Sequence, residues 1–213
     1  GRTKAIIVVH QFGIPANMDE IMKIAKKHNI KIIEDCAQAH GALYNGKHVG
    51  TIGDIGVFSL NVNKTIQTGE GGICTTNDQD LAYRLQLVRN HGEAVVGPAG
   101  YENITNIAGF NYRLTELQAA IAVEQLKKLD ILNLKRLELV NILYEGLSKF
   151  EFLKPLCNRS SCSNKCLCVN MNNKTQSTFY VFPIRFIPEI AGTNRDTFTK
   201  ALNAEGINFF QGY

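Results

Sequence analysis

Short apolar runs alternate with helical periodicity over the first 90 residues of the chain. Ala5–Val9 is apolar throughout, as buried strands are, and Met18–His28 has the spacing of an amphipathic helix. Lys31–Asp35 has the pattern of a second strand, with an acidic pair at its carboxyl end. Strand, helix and strand joined by short links indicate an α/β domain with a mainly parallel sheet. The buried face predicted for the helix consists of Ile21, Ile24 and Ala25.

The same alternation continues along the chain. Strands are predicted at Asp54–Leu60 and Gly72–Thr76, and a helix at Asp78–Asn90. A long helical pattern begins after a capping residue, Thr115, continues to residue 129 and resumes over Ile131–Leu147. Its apolar positions recur near helical spacing and predict a core-facing side formed by Leu117, Ala120, Ile121, Leu126 and Leu129.

The last third of the chain has a different pattern. Residues 151–177 are predicted to form a loop of low hydrophobicity, followed by a strand at Phe179–Phe186 and a helix at Asp196–Glu205. We therefore expect a large domain over residues 1–145, which includes the long linking helix, and the beginning of a smaller α/β domain over residues 146–213. Both ends of the chain interrupt these patterns, so we expect it to be a fragment of a longer protein.

Charge and hydropathy exclude two classes of partner. The chain of 213 residues carries 23 basic and 19 acidic residues, and its net charge of +4 is spread along the sequence. A nucleic-acid-binding protein concentrates Lys and Arg on one face, so we expect no nucleic-acid partner. No stretch of about 18 uncharged apolar residues occurs, so we expect no membrane span. The chain shows no signal peptide, and we expect a cytoplasmic protein.

The six cysteines do not form the framework of a disulfide scaffold. Cys36 and Cys74 lie in strand-like contexts and are predicted to be small buried hydrophobic residues. Four thiols could hold a tetrahedral zinc ion, but the remaining four lack the paired CxxC spacing of zinc ribbons. We therefore expect a cysteine-rich surface insertion without a metal, containing Cys157, Cys162, Cys166 and Cys168.

Candidate chemistry lies at the carboxyl ends of the predicted strands, where ligands of parallel sheets bind. Asp35 ends a strand and is followed by Gln38, so its carboxylate could hold a protonated ring nitrogen; alternatively it caps the next turn. Lys64 follows an apolar strand, where desolvation would favour a free amine able to form a Schiff base; alternatively it is a solvated surface lysine. The hydroxyl of Ser59 suits a phosphate oxygen.

Two further segments offer anion-binding groups, each with a structural alternative. Thr68–Gly72 has three glycines that permit close backbone approach to a phosphate, or that simply form a hairpin turn. Asn111 and Arg113 precede a helix N-terminus, which favours anions, although the segment could be an ordinary helix entry. An acid for a ring nitrogen, an amine nucleophile and anion donors are the set that pyridoxal phosphate requires.

At these motifs the sequence resembles the DegT/StrS-type nucleotide-sugar aminotransferases, which are pyridoxal-phosphate enzymes of the aspartate-aminotransferase fold. The resemblance covers about residues 5–145. It is carried by HQFGIPANMDEI from His10, EDCAQAHGALYNGKHVGTIGD, SLNVNK, the GEGG turn and GFNYRLTELQAAIAVEQL, which occur in that order. The resemblance implies a three-layer PLP-transferase fold of type I with a mainly parallel sheet, of which this chain contains a part.

The resemblance also implies a role for each site residue. Lys64 would form the Schiff base with the cofactor and carry the proton, and Asp35 would be the partner of the pyridine nitrogen. Gln38 would lie close to the ring on its 3-hydroxyl side, and Ser59 would bind the phosphate. Asn111 would reach the cofactor phosphate of a neighbouring subunit, so that a homodimer shares its active sites. The expected substrate-binding residues are His91 and Arg113.

The family reaction would move an amino group from L-glutamate to a keto-sugar linked to a nucleotide, for polysaccharide, lipopolysaccharide or glycan synthesis. Related sugar 3-dehydratases replace the Schiff-base lysine with histidine, so Lys64 disfavours that alternative. A truncated, non-catalytic paralogue is the other alternative. It remains open because the resemblance implies that part of the cofactor pocket precedes Gly1 and that the small domain continues beyond Tyr213.

Overall fold

The computed structural model describes residues 1–92, 107–156, 169–170 and 174–209. The strands are β1 (Ala5–Val9), β2 (Lys31–Asp35), β3 (Leu43–Tyr44), β4 (Lys47–His48), β5 (Ile55–Ser59), β6 (Gly72–Thr75), β7 (Leu153–Pro155), β8 (Val169–Asn170), β9 (Thr175–Gln176) and β10 (Ile184–Phe186). The helices are α1 (Met18–His28), α2 (Gln79–Arg89), α3 (Glu116–Leu126), α4 (Leu129–Leu147), α5 (Pro188–Ala191) and α6 (Arg195–Ala204), with a 3₁₀ turn at Gln11–Gly13.

The chain divides into two compact units. Unit 1 contains Gly1–Leu137 with Lys165–Val181, and unit 2 contains Glu138–Asn164 with Phe182–Tyr213. The sequence-based division at residues 145 and 146 concerns the domains of the whole protein and stays a prediction.

Unit 1 is built on a four-stranded sheet with the order β1-β2-β5-β6. β1, β2 and β5 are parallel, and β6 is antiparallel to β5. The parallel strands have the bounds that their apolar patterns predict, to within one residue. The mainly parallel α/β sheet predicted from the sequence is therefore confirmed.

Helix α1 connects β1 to β2 and has charged ends that suit the helix dipole. Asp19 and Glu20 lie in its first turn, and Lys26, Lys27 and His28 lie in its last. Its bounds are those predicted, but its buried face differs: Ala25 is buried, whereas Ile24 is 51% exposed. The core that α1 shares with the sheet includes Val8, Met18, Ile32, Cys36, Ala39 and Tyr44.

A second small sheet was not predicted. β3 and β4 form a two-residue hairpin whose turn residues, Asn45 and Gly46, both have positive φ. Asn-Gly is the preferred sequence for such a turn, because both central residues must adopt left-handed conformations. β9 pairs with β3 and β8 pairs with β9, giving the order β4-β3-β9-β8.

The helices that follow begin at capping residues, of which Thr115 was predicted, and α3 buries less than expected. Asp78 caps α2, and Thr115 caps α3 through a capping box in which Gln118 reaches back to the N-cap residue. The predicted core face is wrong within α3, where no residue is buried and Leu117 is 80% and Leu126 60% exposed. Its last member, Leu129 at the start of α4, is buried as predicted and packs with Leu60 and Ile66. Periodicity reveals an apolar side of a helix but not what covers it.

Unit 2 contains a short antiparallel pair, β7 and β10, with helices α5 and α6. Its aromatic side chains cluster, with the rings of Phe186 and Phe198 stacked at 4.9 Å and Phe152 edge-on to both. The predicted loop over residues 151–177 is corrected, because it contains β7, β8 and β9. The predicted strand at 179–186 is reduced to β10, since Phe179 has a φ of 47° and interrupts extended backbone.

Helix α4 is the longest helix of the described part of the chain, at 19 residues, and it carries several charged side chains. Across the described ranges, no helix combines the length and the apolar character needed to cross a membrane.

Candidate active site

The carboxyl ends of three parallel strands meet at one edge of the unit 1 sheet. Val9 at the end of β1 is paired with Asp35, the last residue of β2. Asp35 is paired in turn with Val57 of β5, which ends at Ser59. The structure therefore brings Asp35 and Ser59 to the edge where ligands of parallel sheets bind.

The half-buried carboxylate of Asp35 is only partly engaged. Its Oδ1 accepts a hydrogen bond from the backbone N–H of Ala37 at 3.0 Å. Asp35 therefore caps the turn after β2, which was one of its two predicted roles. No donor of the described residues bonds to Oδ2. Asp35 can therefore stabilise the turn that follows β2 and still accept a hydrogen bond from a ligand.

The side-chain amide of Gln38 is held in one orientation by the backbone. Its Oε1 accepts a hydrogen bond from the N–H of Phe12 at 2.8 Å. Because a backbone N–H can only donate, this contact fixes which end of the amide is oxygen and which is nitrogen. The Nε2 group has no acceptor among the residues that the structure describes, so it can donate to a ligand oxygen.

The backbone of Ser59 is anchored by a buried histidine. His40 Nε2 donates to the Ser59 carbonyl at 2.8 Å, since a carbonyl can only accept. Burial lowers the pKa of His40, and the charges of Lys64 and Arg136 lower it further, whereas the bond to Ser59 opposes them. Ser59 Oγ accepts a long hydrogen bond of 3.3 Å from the N–H of Asn61. The hydroxyl hydrogen of Ser59 thus stays available to an anion.

Lys64 lies in the loop between β5 and β6, where its backbone N–H donates to the Asn61 carbonyl at 2.9 Å. Its half-buried side chain packs over the Tyr180 ring, with Nζ 5.0 Å from the ring centroid. Within the described ranges its amine makes no hydrogen bond and no ion pair. Arg136, whose charge also acts on His40, donates to Thr65 Oγ1 at 2.9 Å beside it. The amine is thus oriented by an aromatic face, and no acceptor of the described chain occupies it.

The glycine-rich segment at residues 68–72 has the hairpin conformation that was one of its two interpretations. Leu60 N–H donates to the Gly71 carbonyl at 2.9 Å, and Val62 N–H donates to the Gly69 carbonyl at 2.7 Å. Gly71 has a φ of 153°, and a Cβ there would come within 2.9 Å of the side chain of Leu114. Gly71 therefore has a structural reason to be glycine, and the binding of phosphate by this segment stays a prediction.

Two of the remaining predicted residues, Asn111 and Arg113, lie on an exposed segment before α3, and the third, His91, lies just after α2. Asn111 bridges to Asn90, and Arg113 Nη1 donates to Asn90 Oδ1 at 3.4 Å. His91 is exposed, with a φ of 62°. No described hydrogen bond or ion pair joins these three residues to Asp35, Gln38, Ser59 or Lys64. Gln118 Nε2, which donates to the Glu70 carbonyl at 2.9 Å, connects α3 to the glycine-rich hairpin instead.

A buried pair next to the site was missed by the sequence analysis. His10 Nε2 donates to Glu34 Oε2 at 2.9 Å, and both side chains are fully buried. Glu34 also accepts hydrogen bonds from the backbone N–H groups of Gly50, Ile52 and Gly53, at 2.8, 2.8 and 2.7 Å. The signal that could have identified it is that Glu34 lies two residues after the buried Ile32, on the same face of β2, because a buried carboxylate requires several donors.

Of the two cysteines that the structure describes, one is buried as predicted and the other is exposed. Cys36 is buried as predicted, and burial with the nearby charges of Glu34 and Asp35 raises the pKa of its thiol above the usual range. Cys74 is exposed, which corrects its prediction. Cys36 lies close to His10 and Glu34, but both ring nitrogens and both carboxylate oxygens of that pair already have protein partners. The four clustered cysteines at 157, 162, 166 and 168 lie outside the described residues.

The comparisons with known proteins agree with this architecture. The chain matches the DegT/DnrJ/EryC1/StrS aminotransferase family over residues 1–213. It is 38% identical over 206 residues to the GDP-perosamine synthase of Caulobacter vibrioides, covering 97% of this chain and 51% of that protein. It is 51% identical over 139 residues to the dTDP-3-amino-3,6-dideoxy-alpha-D-galactopyranose transaminase of Aneurinibacillus thermoaerophilus, covering 65% of this chain and 37% of that protein.

Solved structures show the same fold. An aminotransferase from Psychrobacter cryohalolentis superposes with a TM-score of 0.86 at 32% identity, covering 99% of this chain and 54% of that one. The GDP-4-keto-6-deoxy-D-mannose-3-dehydratase of E. coli, solved with bound hydrated PLP, superposes with a TM-score of 0.77 at 27% identity, covering 97% of this chain and 52% of that one.

The match to these solved structures shows that the chain has part of the PLP-dependent aminotransferase fold, with its mainly parallel α/β sheet, as predicted. The chain belongs to the DegT/DnrJ/EryC1/StrS aminotransferase family. It spans about half the length of the curated GDP-perosamine synthase that it matches, which agrees with the expectation of a fragment.

Proposed function

We propose that the protein containing this chain is a pyridoxal-phosphate-dependent aminotransferase that moves an amino group from L-glutamate to a nucleotide-linked keto-sugar. In the net exchange, glutamate becomes 2-oxoglutarate and the keto group of the sugar becomes an amine. The observation that carries the proposal is the set of unengaged polar groups at the sheet edge. Asp35 Oδ2 offers an acceptor, Gln38 Nε2 a donor and Lys64 Nζ an amine, and the described residues make no hydrogen bond or ion pair with these three atoms.

The chemistry of this donor set fits the cofactor. A pyridine nitrogen that stays protonated needs a carboxylate, which Asp35 Oδ2 can supply. A phenolic oxygen needs a neutral donor, which Gln38 Nε2 can supply. A phosphate needs hydroxyl and amide donors, of which Ser59 Oγ is one. The cofactor, when bound, supplies an electron sink that stabilises the carbanion formed at the substrate carbon.

The residues of this chain would each perform one task in the reaction. Asp35 keeps the ring nitrogen protonated, and Gln38 orients the ring through its 3-hydroxyl side. Lys64 would be the residue to which the cofactor is attached, and its Nζ would move a proton to and from the substrate carbon. Packing on Tyr180 limits the freedom of the lysine side chain, which favours one position for the amine.

The proposal includes a homodimer with shared active sites. Asn111 is exposed and lies between Phe110 and Tyr112, whose rings stack at 5.0 Å and are themselves exposed. Exposed aromatic side chains around a polar residue are typical of subunit interfaces. Asn111 of one copy would bind the cofactor phosphate in the other, and His91 and Arg113 would contact the nucleotide-sugar. We place this reaction in the cytoplasm.

Two alternatives are distinguished by Lys64. A sugar dehydratase is disfavoured because the resemblance implies a histidine at this position in such enzymes, whereas this chain has a lysine. A non-catalytic paralogue would retain the fold but would not form the covalent link between cofactor and lysine.

The direct test uses the whole protein, purified and supplied with pyridoxal phosphate. Wild type should bind one cofactor per subunit with a visible absorbance band, and L-glutamate should convert that band and release one 2-oxoglutarate per subunit. Lys64→Ala should abolish both signals, whereas Lys47→Ala, which changes an exposed lysine of β4, should retain them. A wild-type protein that acquires no absorbance band would overturn the proposal.

A further inference from the structure

The turn at Gln11–Gly13 connects several parts of the candidate site. It follows β1 directly and is closed by a hydrogen bond of 3.2 Å from Gly13 N–H to the His10 carbonyl. Phe12 lies in it with a φ of 60°, a conformation that side chains rarely adopt and that the surrounding structure must impose. Its N–H is the group that orients Gln38, at 2.8 Å from Oε1.

His10 holds both ends of this turn. Its own backbone N–H donates to the Asp35 carbonyl at 3.0 Å, which ties the start of the turn to the end of β2. Its Nδ1 accepts a hydrogen bond from the N–H of Ala16 at 3.0 Å, which ties the start of the turn to the chain beyond its end. Because Nδ1 accepts, the proton of the ring is on Nε2, and it is donated to Glu34.

Glu34 holds the His10 ring through the hydrogen bond at Nε2. It is fully buried and accepts four hydrogen bonds, one from His10 and three from backbone N–H groups. Burial by itself would raise the pKa of Glu34, but these hydrogen bonds lower it below the usual range, so the carboxylate is ionised. An ionised acceptor permits only the Nε2–H form of His10, and this form leaves Nδ1 able to accept from Ala16.

We infer that His10, held by Glu34, is a positioning residue that sets the orientation of the Gln38 amide through the Gln11–Gly13 turn. The orientation leaves Nε2 of Gln38 as the end that faces a ligand, so the site is built for an anionic oxygen of the ligand rather than for a donor. This inference rests on the proposed function, in which that oxygen is the 3-hydroxyl of the cofactor. Gly13 supports it, because a Cβ there would come within 2.6 Å of Thr178 Oγ1 and 2.9 Å of the Gln38 carbonyl.

The readout is the pH midpoint of the cofactor's absorbance change in the whole, loaded protein. A donor to the phenolic oxygen stabilises the deprotonated form of the chromophore most, so its loss should raise the midpoint. Gln38→Leu should raise it by roughly 1–2 pH units, the size expected for a lost hydrogen bond to a charged oxygen. His10→Phe should raise it by a similar amount, and the double variant should shift no further than either single one.

Two further variants separate positioning from simple destabilisation. His10→Gln keeps a donor and an acceptor on one side chain. Its midpoint should therefore lie within about 0.3 pH units of wild type, which corresponds to a few tenths of a kcal/mol. Leu87→Ala removes a buried side chain of α2 that is remote in sequence from the turn, and it should lower the unfolding temperature without moving the midpoint. If His10→Phe does not fold, Glu34→Gln serves in its place, because it keeps the shape of the side chain but removes an acceptor.

The outcomes distinguish this inference from the proposed function. A shift in Gln38→Leu with none in His10→Phe or Glu34→Gln overturns the inference and leaves the proposed function standing. A midpoint in Leu87→Ala that shifts as far as that of His10→Phe also overturns the inference. A wild-type protein without any cofactor absorbance fails the proposed function itself. Matching, non-additive shifts in His10→Phe and Gln38→Leu, with recovery in His10→Gln, establish the positioning role.

Discussion

The amine of Lys64 lies over the aromatic face of Tyr180, 5.0 Å from the ring centroid, although the two residues are far apart in the sequence. This contact joins the loop after β5 to the segment after β9, both in unit 1. It gives the lysine a preferred position without occupying its nitrogen, because an aromatic face attracts an ammonium group but leaves its lone pair usable after deprotonation.

Replacing the ring should weaken cofactor binding modestly. Tyr180→Leu removes a contact worth about 0.5–1 kcal/mol, which corresponds to roughly a 2–5-fold loss of affinity for pyridoxal phosphate. Tyr180→Phe keeps the aromatic face and should bind like wild type. Fluorescence titration of the cofactor-free whole protein measures both, and equal affinities for the leucine and phenylalanine variants would contradict the role of the ring.

Glu34 should be the most sensitive acidic residue of unit 1. Glu34→Ala leaves buried His10 and three backbone N–H groups without their acceptor, so we expect a loss of about 3–5 kcal/mol of unfolding free energy. Glu20→Ala, in the exposed first turn of α1, should change it by less than about 0.5 kcal/mol. Denaturant unfolding of both variants makes the comparison, and similar losses would mean that the buried network contributes little.

The same carboxylate predicts a dependence of stability on acid. Hydrogen bonds lower the folded-state pKa of Glu34 despite its burial, whereas the unfolded chain has a pKa of about 4.3. Its contribution is therefore complete above pH 4.3 and is lost progressively as the pH falls below that value. Unfolding free energies measured from pH 6 to pH 3 should decline less steeply in Glu34→Gln than in wild type, since the variant has no carboxylate to protonate.

Protonation of His40 should lower the unfolding free energy at a higher pH than protonation of Glu34 does. Its folded-state pKa is lowered, chiefly by burial, below the value of about 6.5 expected in the unfolded chain. The unfolded state therefore binds a proton first, so the stability that His40 contributes is complete above pH 6.5 and declines as the pH falls below it. NMR titration of the imidazole should give a midpoint below 6.5, and a midpoint above it would contradict the buried neutral ring.

The capping box formed by Thr115 and Gln118 should stabilise the N-terminus of α3, which follows the segment that carries Asn111. Thr115→Ala removes a capping box and should cost about 0.5–2 kcal/mol, whereas Thr115→Ser keeps the hydroxyl and should cost much less. Thermal unfolding of the two variants tests this. Equal melting temperatures would show that the cap is not stabilising in the whole protein.

Much of unit 1 was predictable because its signals are local. The three parallel strands and α1 have apolar runs or clear helical spacing, and Thr115 is a helix cap that can be recognised from sequence. The exposed face of α3 was not predictable, because burial depends on which surface packs against a helix. The β3–β4 hairpin was missed because its strands have two residues each, too short for any periodicity.

The candidate site was predictable as a list of residues but not as a network. The positions of Asp35, Gln38, Ser59 and Lys64 followed from strand ends and from the family resemblance. The partnership of His10 with Glu34 joins the residue after β1 to β2 and depends on the register of the two strands, which the sequence does not state. The orientation of Gln38 depends on a hydrogen bond from the backbone N–H of Phe12. Phe12 has a positive φ, which the sequence does not indicate because tertiary contacts impose it.

The most direct test of the account is to locate the covalent bond between cofactor and protein. Borohydride reduction of the loaded whole protein, followed by digestion and mass spectrometry, should find the pyridoxyl group on the peptide that contains Lys64, with one group per subunit. Modification of a different lysine at that stoichiometry, or of none, would contradict the central claim that Lys64 is the residue that holds the cofactor.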